Sequence, residues 1–126
     1  MKTNSADLHE ALYSIISALV ENTAYENIPK PVTYPYAVFS TRILGHYYGQ
    51  YRYQVDVDVA SRDIATVETL ADSIMEHLDH RTYDTTTIFF HVYHSSRYTV
   101  VEEDKGIERR HLTFELYFYS RSEENG

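Results

Sequence analysis

The hydrophobic pattern of the chain is clearest between Tyr51 and Val59, where apolar and polar side chains alternate without interruption. Successive side chains of a strand point to opposite faces, so this segment predicts a long strand with one buried face. The predicted buried residues are Tyr51, Tyr53, Val55, Val57 and Val59. The predicted solvent-facing residues are Arg52, Gln54, Asp56 and Asp58. A helix would scatter the apolar groups around its circumference, so the pattern favours a sheet with one covered face.

Two segments have the apolar spacing of amphipathic helices. The first extends from about Ser5 to Glu21, and the second begins after the capping residue Asp63 and ends near His80. The apolar residues of the first helix are Leu8, Leu12, Ile15, Ile16 and Leu19. Those of the second helix are Ile64, Val67, Leu70, Ile74 and Leu78. Each helix therefore has one apolar face that needs a partner.

Three further strands are predicted from the remaining pattern. The segment Asn22 to Pro35 contains all three prolines, which favour an extended path, and a strand follows from Tyr36 to Thr41. After the second helix, strands are predicted at Thr87 to His94 and at Ile107 to Arg121. The polar tail Ser122 to Gly126 is expected to be frayed.

The predicted order is helix, strand, strand, helix, strand, strand, in one domain that spans residues 1–126. The economical arrangement is an α+β two-layer sandwich, with a four-stranded antiparallel sheet that carries both helices on one face. The other face of the sheet is rich in aromatic and polar groups, and we expect it to line a channel or take part in assembly. The residues assigned to this open face are Arg52, Gln54, Asp56, Asp58, His91, Tyr93, His111, Glu115, Tyr117 and Tyr119.

The segment from Arg42 to Gln50 contains two glycines and two adjacent tyrosines. It is either a projecting loop or a hairpin whose strands extend further than the alternation shows, and the projecting, mobile arm is the favoured interpretation. Exposed apolar groups gain free energy when a partner covers them. We therefore expect a partner interface at Arg42, Ile43, Leu44, His46, Tyr47 and Tyr48.

Composition excludes several classes of function. The net charge of −8 disfavours sequence-independent binding to nucleic acid or to an anionic membrane. The chain has no cysteine, which removes disulfides, thiolate metal sites and a cysteine nucleophile. No signal sequence or membrane span is recognisable. Tyrosine occurs thirteen times, and its large ring with a polar tip suits surfaces that meet partners.

Candidate catalytic and metal-binding residues are weakly supported. His91 and His94 are three residues apart on a predicted strand, so their side chains face opposite sides and cannot share a metal. His77 and His80 share one face of the second helix, but they lie in its last turn, where such groups commonly complement the exposed carbonyls. Asp56 and Asp58 point to the same side, and such a pair either binds a cation or forms a solvated acidic strip. No phosphate loop or nucleophile elbow is present. We expect no enzymatic activity, no cofactor and no bound transition metal.

The order of segments carries a resemblance to a known family. An amphipathic helix is followed by the sequences Tyr34 to Phe39 and Tyr53 to Asp63, by the helix around Leu70 to Leu78, and by the strand Arg110 to Leu116. This order resembles the tail-completion, tail-terminator and head–tail joining proteins of long-tailed bacteriophages and prophages, across nearly the whole chain. The tyrosine-rich strands depart from the pattern expected of that family.

The resemblance implies a structural protein that forms a homo-oligomeric ring, commonly a hexamer, at the head-proximal end of the tail. Such a ring caps the tail tube, contacts the head connector, and lies in the virion tail or neck after assembly in the host cytoplasm. The competing class is an enzyme or small-ligand-binding domain that uses the open sheet face. Its candidate residues are Asp56, Asp58, His91 and His111.

Overall fold

The computed structural model describes residues 4–104 and 106–120, without the side chains of Asn4, Tyr47 and Ser120. Two helices and six strands make up the described chain. In chain order they are α1 (Asn4–Ser17), β1 (Thr23–Tyr25), β2 (Tyr36–Tyr47), β3 (Gln50–Ser61), α2 (Ile64–Leu78), β4 (Arg81–Asp84), β5 (Ile88–Val100) and β6 (Glu108–Ser120). The predicted frayed tail, 122–126, lies outside the described residues.

The strands form one curled, six-stranded mixed sheet in the order β1-β2-β3-β6-β5-β4. Its four central strands pair antiparallel, whereas β1 pairs parallel to β2. The predicted four-stranded, purely antiparallel sheet is therefore wrong. The error has a simple cause, because the two additional strands are the short outermost ones, of three and four residues. Segments this short cannot establish an alternation that sequence analysis would detect.

Strand β5 also continues well beyond its predicted end at His94. A β-bulge shifts the register between His94 and Ser96, and the strand then runs on to Val100. The extra residue reverses the phase of the alternation, so His94 faces inward, Ser96 outward and Arg97 inward again. A single period-2 pattern cannot follow a strand across such a bulge, which explains the early end in the prediction.

One hydrophobic core joins both helices to the inner face of the sheet. The predicted inner face of β3 is confirmed, because Tyr53, Val55, Val57 and Val59 are buried and Tyr51 is half-buried. Helix α1 contacts β1 and β5, which lie toward opposite edges of the sheet, so the sheet curls around it. Burial of these aliphatic and aromatic groups provides the main driving force for this arrangement.

Helix α2 begins as predicted, because the side chain of the N-cap Asp63 accepts a hydrogen bond from the Thr66 amide at 2.8 Å. The Thr66 hydroxyl also donates to this carboxylate, at 2.7 Å, and the two hydrogen bonds lower the pKa of Asp63. Residues Val67, Ala71, Ile74 and Leu78 are buried. Ile64 was predicted to be in the apolar stripe but is 59% exposed, since it lies in the first turn at the rim of the sheet. Among the described residues, neither helix has the length and apolar character needed to cross a membrane.

Candidate assembly surfaces

Strands β2 and β3 form a long hairpin closed by only two residues, Tyr48 and Gly49. Both turn residues have positive φ, 48° and 80° respectively, which is the backbone geometry of a tight primed turn. Glycine adopts this conformation readily, and Tyr48 does so in the left-handed region. The pairing continues from Tyr47 opposite Gln50 to Tyr36 opposite Ala60.

The segment Arg42 to Gln50 is thus not a projecting, mobile loop, and the favoured prediction for it is wrong. The alternative that it is a hairpin with longer strands is confirmed. A register shift between Ile43 and Gly45 places an extra residue, Leu44, in β2. The doubled apolar pair Ile43-Leu44 breaks the alternation at this point, which is why the sequence pattern ends there.

The end of this hairpin presents apolar side chains to solvent. Ile43 is 56% exposed, Leu44 is 40% exposed and Tyr48 is 89% exposed. His46 is also exposed, and its ring stacks on Tyr51 with centroids 4.4 Å apart. We call the group Ile43, Leu44, His46 and Tyr48 the hairpin tip. Three large, exposed apolar groups at one end of a hairpin favour a surface that a partner covers.

Two of the predicted interface residues lie outside this group. Arg42 is on the outer face, where its guanidinium donates a 2.8 Å hydrogen bond to the side-chain oxygen of Gln54. Tyr47 lies in β2, but its side chain is outside the described residues. The interface role of the six predicted residues stays a prediction, because no bound partner is present.

The outer face of the sheet carries the residues assigned to the open face, in register on β3, β6 and β5. Arg52 lies opposite Tyr117, and Asp58 lies opposite His111. Side-chain hydrogen bonds run along both central strands of this face. On β3, Gln54 donates to Asp56 at 3.1 Å, and on β6 the Tyr117 hydroxyl donates to Glu115 at 2.8 Å. The bond to Glu115 raises the pKa of Tyr117. This face is a connected polar surface with aromatic rings along its β5 side.

His111 lies between two carboxylates on this face. Its Nδ1 is 2.9 Å from Asp58 Oδ1, and its Nε2 is 3.0 Å from Asp56 Oδ1. A neutral imidazole has one N–H, so only the protonated ring can donate to both carboxylates. Burial lowers the pKa of His111, but the hydrogen bonds and negative charges of Asp58 and Asp56 outweigh it, so the pKa is raised. The ring of Tyr98 covers the imidazole, with centroids 5.0 Å apart.

The four candidate residues of the enzymatic alternative do not form one site. Asp56, Asp58 and His111 come together, whereas His91 lies on β5, 3.1 Å from the Thr82 hydroxyl of β4. Both nitrogens of His111 lie within hydrogen-bond distance of a carboxylate on the same face. Within the described residues, no group of three or more histidine, aspartate or glutamate side chains is arranged to bind a metal.

The outer face carries charges of both signs. Arg52 lies 3.8 Å from Glu115, and His111 lies between Asp56 and Asp58. Arg42 and Arg109 add positive charge, and Asp84 adds negative charge, at outward-facing strand positions. A face of mixed charge repels other protein surfaces less than a uniformly acidic one would.

Apolar and polar clefts lie beside α1, away from the outer face. One cleft of about 440 Å³ lies between α1 and β1–β2, and it is lined by His9, Glu10, Tyr13, Ser14, Tyr25 and Phe39. Burial lowers the pKa of His9, which contacts the Thr41 hydroxyl at 2.8 Å. This cleft borders the edge of β2 at the point where β1 ends.

An inner charge cluster was missed by sequence analysis. Arg97 of β5 donates to Glu68 and Asp72 of α2 at 2.7 and 2.6 Å, and Arg110 of β6 donates to Glu68 as well. The Arg110 side chain is only 10% exposed. The spacing of Glu68 and Asp72, four residues apart on one flank of α2, was the available signal. The neighbouring Arg109 faces the other way and binds Glu102 in the turn before β6.

Comparison with known proteins supports the architecture. No family model matches the chain, and no curated protein matches it. Among solved structures, the chain is similar to a chain from the virion of a native gene transfer agent particle, with a TM-score of 0.61 and 15% sequence identity. The superposition covers 84% of this chain and 85% of that chain. The two chains therefore share a fold over nearly their whole lengths.

Proposed function

We propose that this chain is a structural protein of a phage-like virion. In this proposal it forms a ring at the head-proximal end of the tail, caps the tail tube and joins it to the head connector. The observation that carries the proposal is the shared fold with a virion chain over 84% of the residues. A ring of this kind needs no catalytic group, and we expect none to act here.

The surface of the molecule supports an assembly role. The hairpin tip exposes Ile43, Leu44 and Tyr48 on a hairpin that is paired up to its two-residue turn apart from the bulge at Leu44, so a partner can cover them without first ordering a loop. The outer face offers a second, polar surface. A ring requires two different patches on each subunit, one for each neighbour. Contacts to the tail tube and to the head connector then use the two ends of the ring.

The contacts disfavour the enzymatic alternative. His91 lies apart from the Asp56–His111–Asp58 group, and that group is closed by its own hydrogen bonds. The arrangement is typical of a structural ion pair between neighbouring strands. The location that follows from the proposal is the tail or neck of the virion, after assembly in the host cytoplasm.

The test is complementation in a host that produces the particle. Deletion of the gene should give heads and tails that do not join, and the wild-type gene should restore complete particles. Ile43→Asp should fail to restore them, because it places a charge in the hairpin tip. Ile64→Asp is the matched control, since Ile64 is 59% exposed compared with 56% for Ile43, and aspartate is favourable in the first turn of a helix.

Complete, infectious or DNA-transferring particles in the deletion strain would contradict the proposal. If Ile43→Asp restores particles as well as Ile64→Asp does, the role of the hairpin tip is wrong even where the deletion has the expected effect. Circular dichroism of both purified variants checks that each is folded.

A further inference from the structure

The two outermost strands cover only part of the strands next to them. Strand β1 pairs with β2 at Ala37 to Phe39, and β4 pairs with β5 at Phe89 to Val92. Within the described residues, no strand lies on the outer side of 40–47 in β2 or of 93–100 in β5, although the His94 amide at the start of the β5 edge donates to Asp79 Oδ1 at 2.8 Å. These open edges have equal lengths, since 47 − 39 = 8 residues and 100 − 92 = 8 residues.

The open edges lie at diagonally opposite corners of the sheet. The β2 edge is at the hairpin end, where Gln50 of β3 is opposite Tyr119 of β6. The β5 edge is at the other end, where Val100 is opposite Arg109. A staggered continuation of the sheet from one copy to the next would fill both corners, and a stagger of this kind is what a closed ring of tilted strands requires.

Both edges lack most of the side chains that usually prevent strand pairing, although Arg42 is exposed on β2 and each edge contains a β-bulge. Residues 40–47 and 93–100 contain no lysine, proline, aspartate or glutamate, which are typical protective residues of exposed edges. Arg97 is the one charged side chain on the β5 edge, and it turns inward to Glu68 and Asp72. Large apolar groups are exposed instead: Ile43 and Leu44 on β2, and Tyr98 on β5. The β-bulge in each strand raises local twist, which disfavours flat, fibril-like stacking.

Charge distinguishes head-to-tail pairing from two-fold pairing. Glu68, Asp72 and Glu76 follow one flank of α2 at four-residue spacing, and the first two contact β5 through Arg97. Pairing of two β5 edges would bring two such acidic flanks together. Pairing of two β2 edges would bring Arg42 close to its own copy and leave the β5 edges open. Pairing of β2 with β5 avoids both repulsions and covers both edges.

We propose that the open β2 edge of one copy pairs with the open β5 edge of the next, so that the sheets of neighbouring subunits join into one continuous sheet. This inference rests on the proposed ring and names the contact that closes it. The contact is heterologous, because two different edges meet, and heterologous contacts close into rings when the rotation per subunit permits. Main-chain hydrogen bonds supply the affinity, and the exposed side chains at the edges supply the specificity.

Cysteine cross-linking tests this pairing cleanly, because the chain has no cysteine of its own. Arg42 and Ser96 both lie on the outer face, one on each open edge. The double variant Arg42→Cys/Ser96→Cys, treated with a short bifunctional thiol reagent at high protein concentration, should give a ladder of covalent oligomers. The single variants Arg42→Cys and Ser96→Cys should each give only monomer on the same denaturing gel.

Each other outcome overturns the pairing. A covalent dimer from Arg42→Cys alone indicates two-fold β2 pairing, and a dimer from Ser96→Cys alone indicates two-fold β5 pairing. Absence of cross-links while light scattering shows oligomers means that copies meet through other surfaces, which leaves the proposed function intact. A monomer at every concentration also overturns the pairing, and the gene-deletion assay then decides separately whether the proposed function survives.

Discussion

The two faces of the sheet differ in what their side chains contact, although the same strands supply both. On β6, Leu112, Phe114 and Leu116 face inward and are fully buried, while Thr113 and Glu115 face outward and contact other polar side chains. The inner face is completed within one chain by α1 and α2. The outer face and the sheet edges are not completed in this way. The comparison indicates that the inner face determines the fold and that the outer surfaces are available for assembly.

Two adjacent charged residues of β6 also face opposite sides of the sheet. Arg110 faces inward to Glu68 of α2, and His111 faces outward between Asp56 and Asp58. The guanidinium stays charged at every physiological pH, whereas the imidazole titrates. The charge of Arg110 is therefore permanent, whereas the charge of His111 depends on pH.

The largest expected effect comes from the inner face. Phe114→Ala removes a fully buried ring and should lower the free energy of unfolding by about 3–5 kcal/mol, measured by urea denaturation. The outer-face neighbour Tyr117 provides the control, and Tyr117→Ala should cost less than half as much. Equal losses at the two positions would show that the outer face is packed like a core and would contradict the proposed difference between the two faces.

A smaller effect is expected at the inner charge cluster. Arg110→Met keeps the apolar stem but removes the donor to Glu68, and it should lower the free energy of unfolding by about 1.5–3 kcal/mol, which is the usual contribution of a hydrogen bond to a charged group. Glu68→Gln and the double variant complete a double-mutant cycle by thermal denaturation. A coupling energy near zero would mean that the ion pair is incidental to the packing of α2 on β6.

The outer charge cluster should make stability depend on pH. Because the folded-state pKa of His111 is raised, its stabilisation is fully present below the unfolded value of about 6.5 and is lost as pH rises through the folded-state pKa. The free energy of unfolding should thus fall with rising pH in this window, and His111→Gln should remove that slope. The pKa of His9 is lowered, so His9 makes the free energy of unfolding rise with pH below the unfolded value of about 6.5 and cannot cause a fall above it. An unchanged slope in His111→Gln would contradict the assignment.

The smallest effect on stability is expected at the hairpin tip. Tyr48→Ser removes a side chain that is 89% exposed, so the free energy of unfolding should change by less than about 0.5 kcal/mol. Assembly should nevertheless weaken, as seen by light scattering or by the yield of joined particles. A variant that unfolds would place Tyr48 in the core, and a variant that assembles normally would remove it from the interface.

The sequence was informative wherever one regular period persisted over many residues. Tyr51 to Val59 predicted both faces of β3, and Asp63 predicted the start of α2. The sequence failed where the period changed or was too short: at the bulged residues Leu44 and Ser95, and in the three residues of β1. The mixed sheet and the full length of the hairpin were therefore missed, because short strands and bulges become visible only when the strands are paired.

The candidate surfaces were predicted only in part, because alternation gives the face of each residue but not the pairing between strands. Alternation placed Asp56, Asp58 and His111 on one face, but it could not show that His111 bridges the two carboxylates, because that requires the register of β3 against β6. It also could not show that Arg97 turns inward, since the bulge at Ser95 reverses the phase. Contacts between strands far apart in sequence are set by tertiary pairing rather than by local pattern.

The most direct test of the virion role is quantitative mass spectrometry of purified particles from the strain that encodes this chain. The proposal predicts that the chain is present in joined particles at a low, fixed copy number that corresponds to a single ring. It also predicts chemical cross-links to the tail tube and to the head connector. Absence of the chain from complete particles would contradict the proposal.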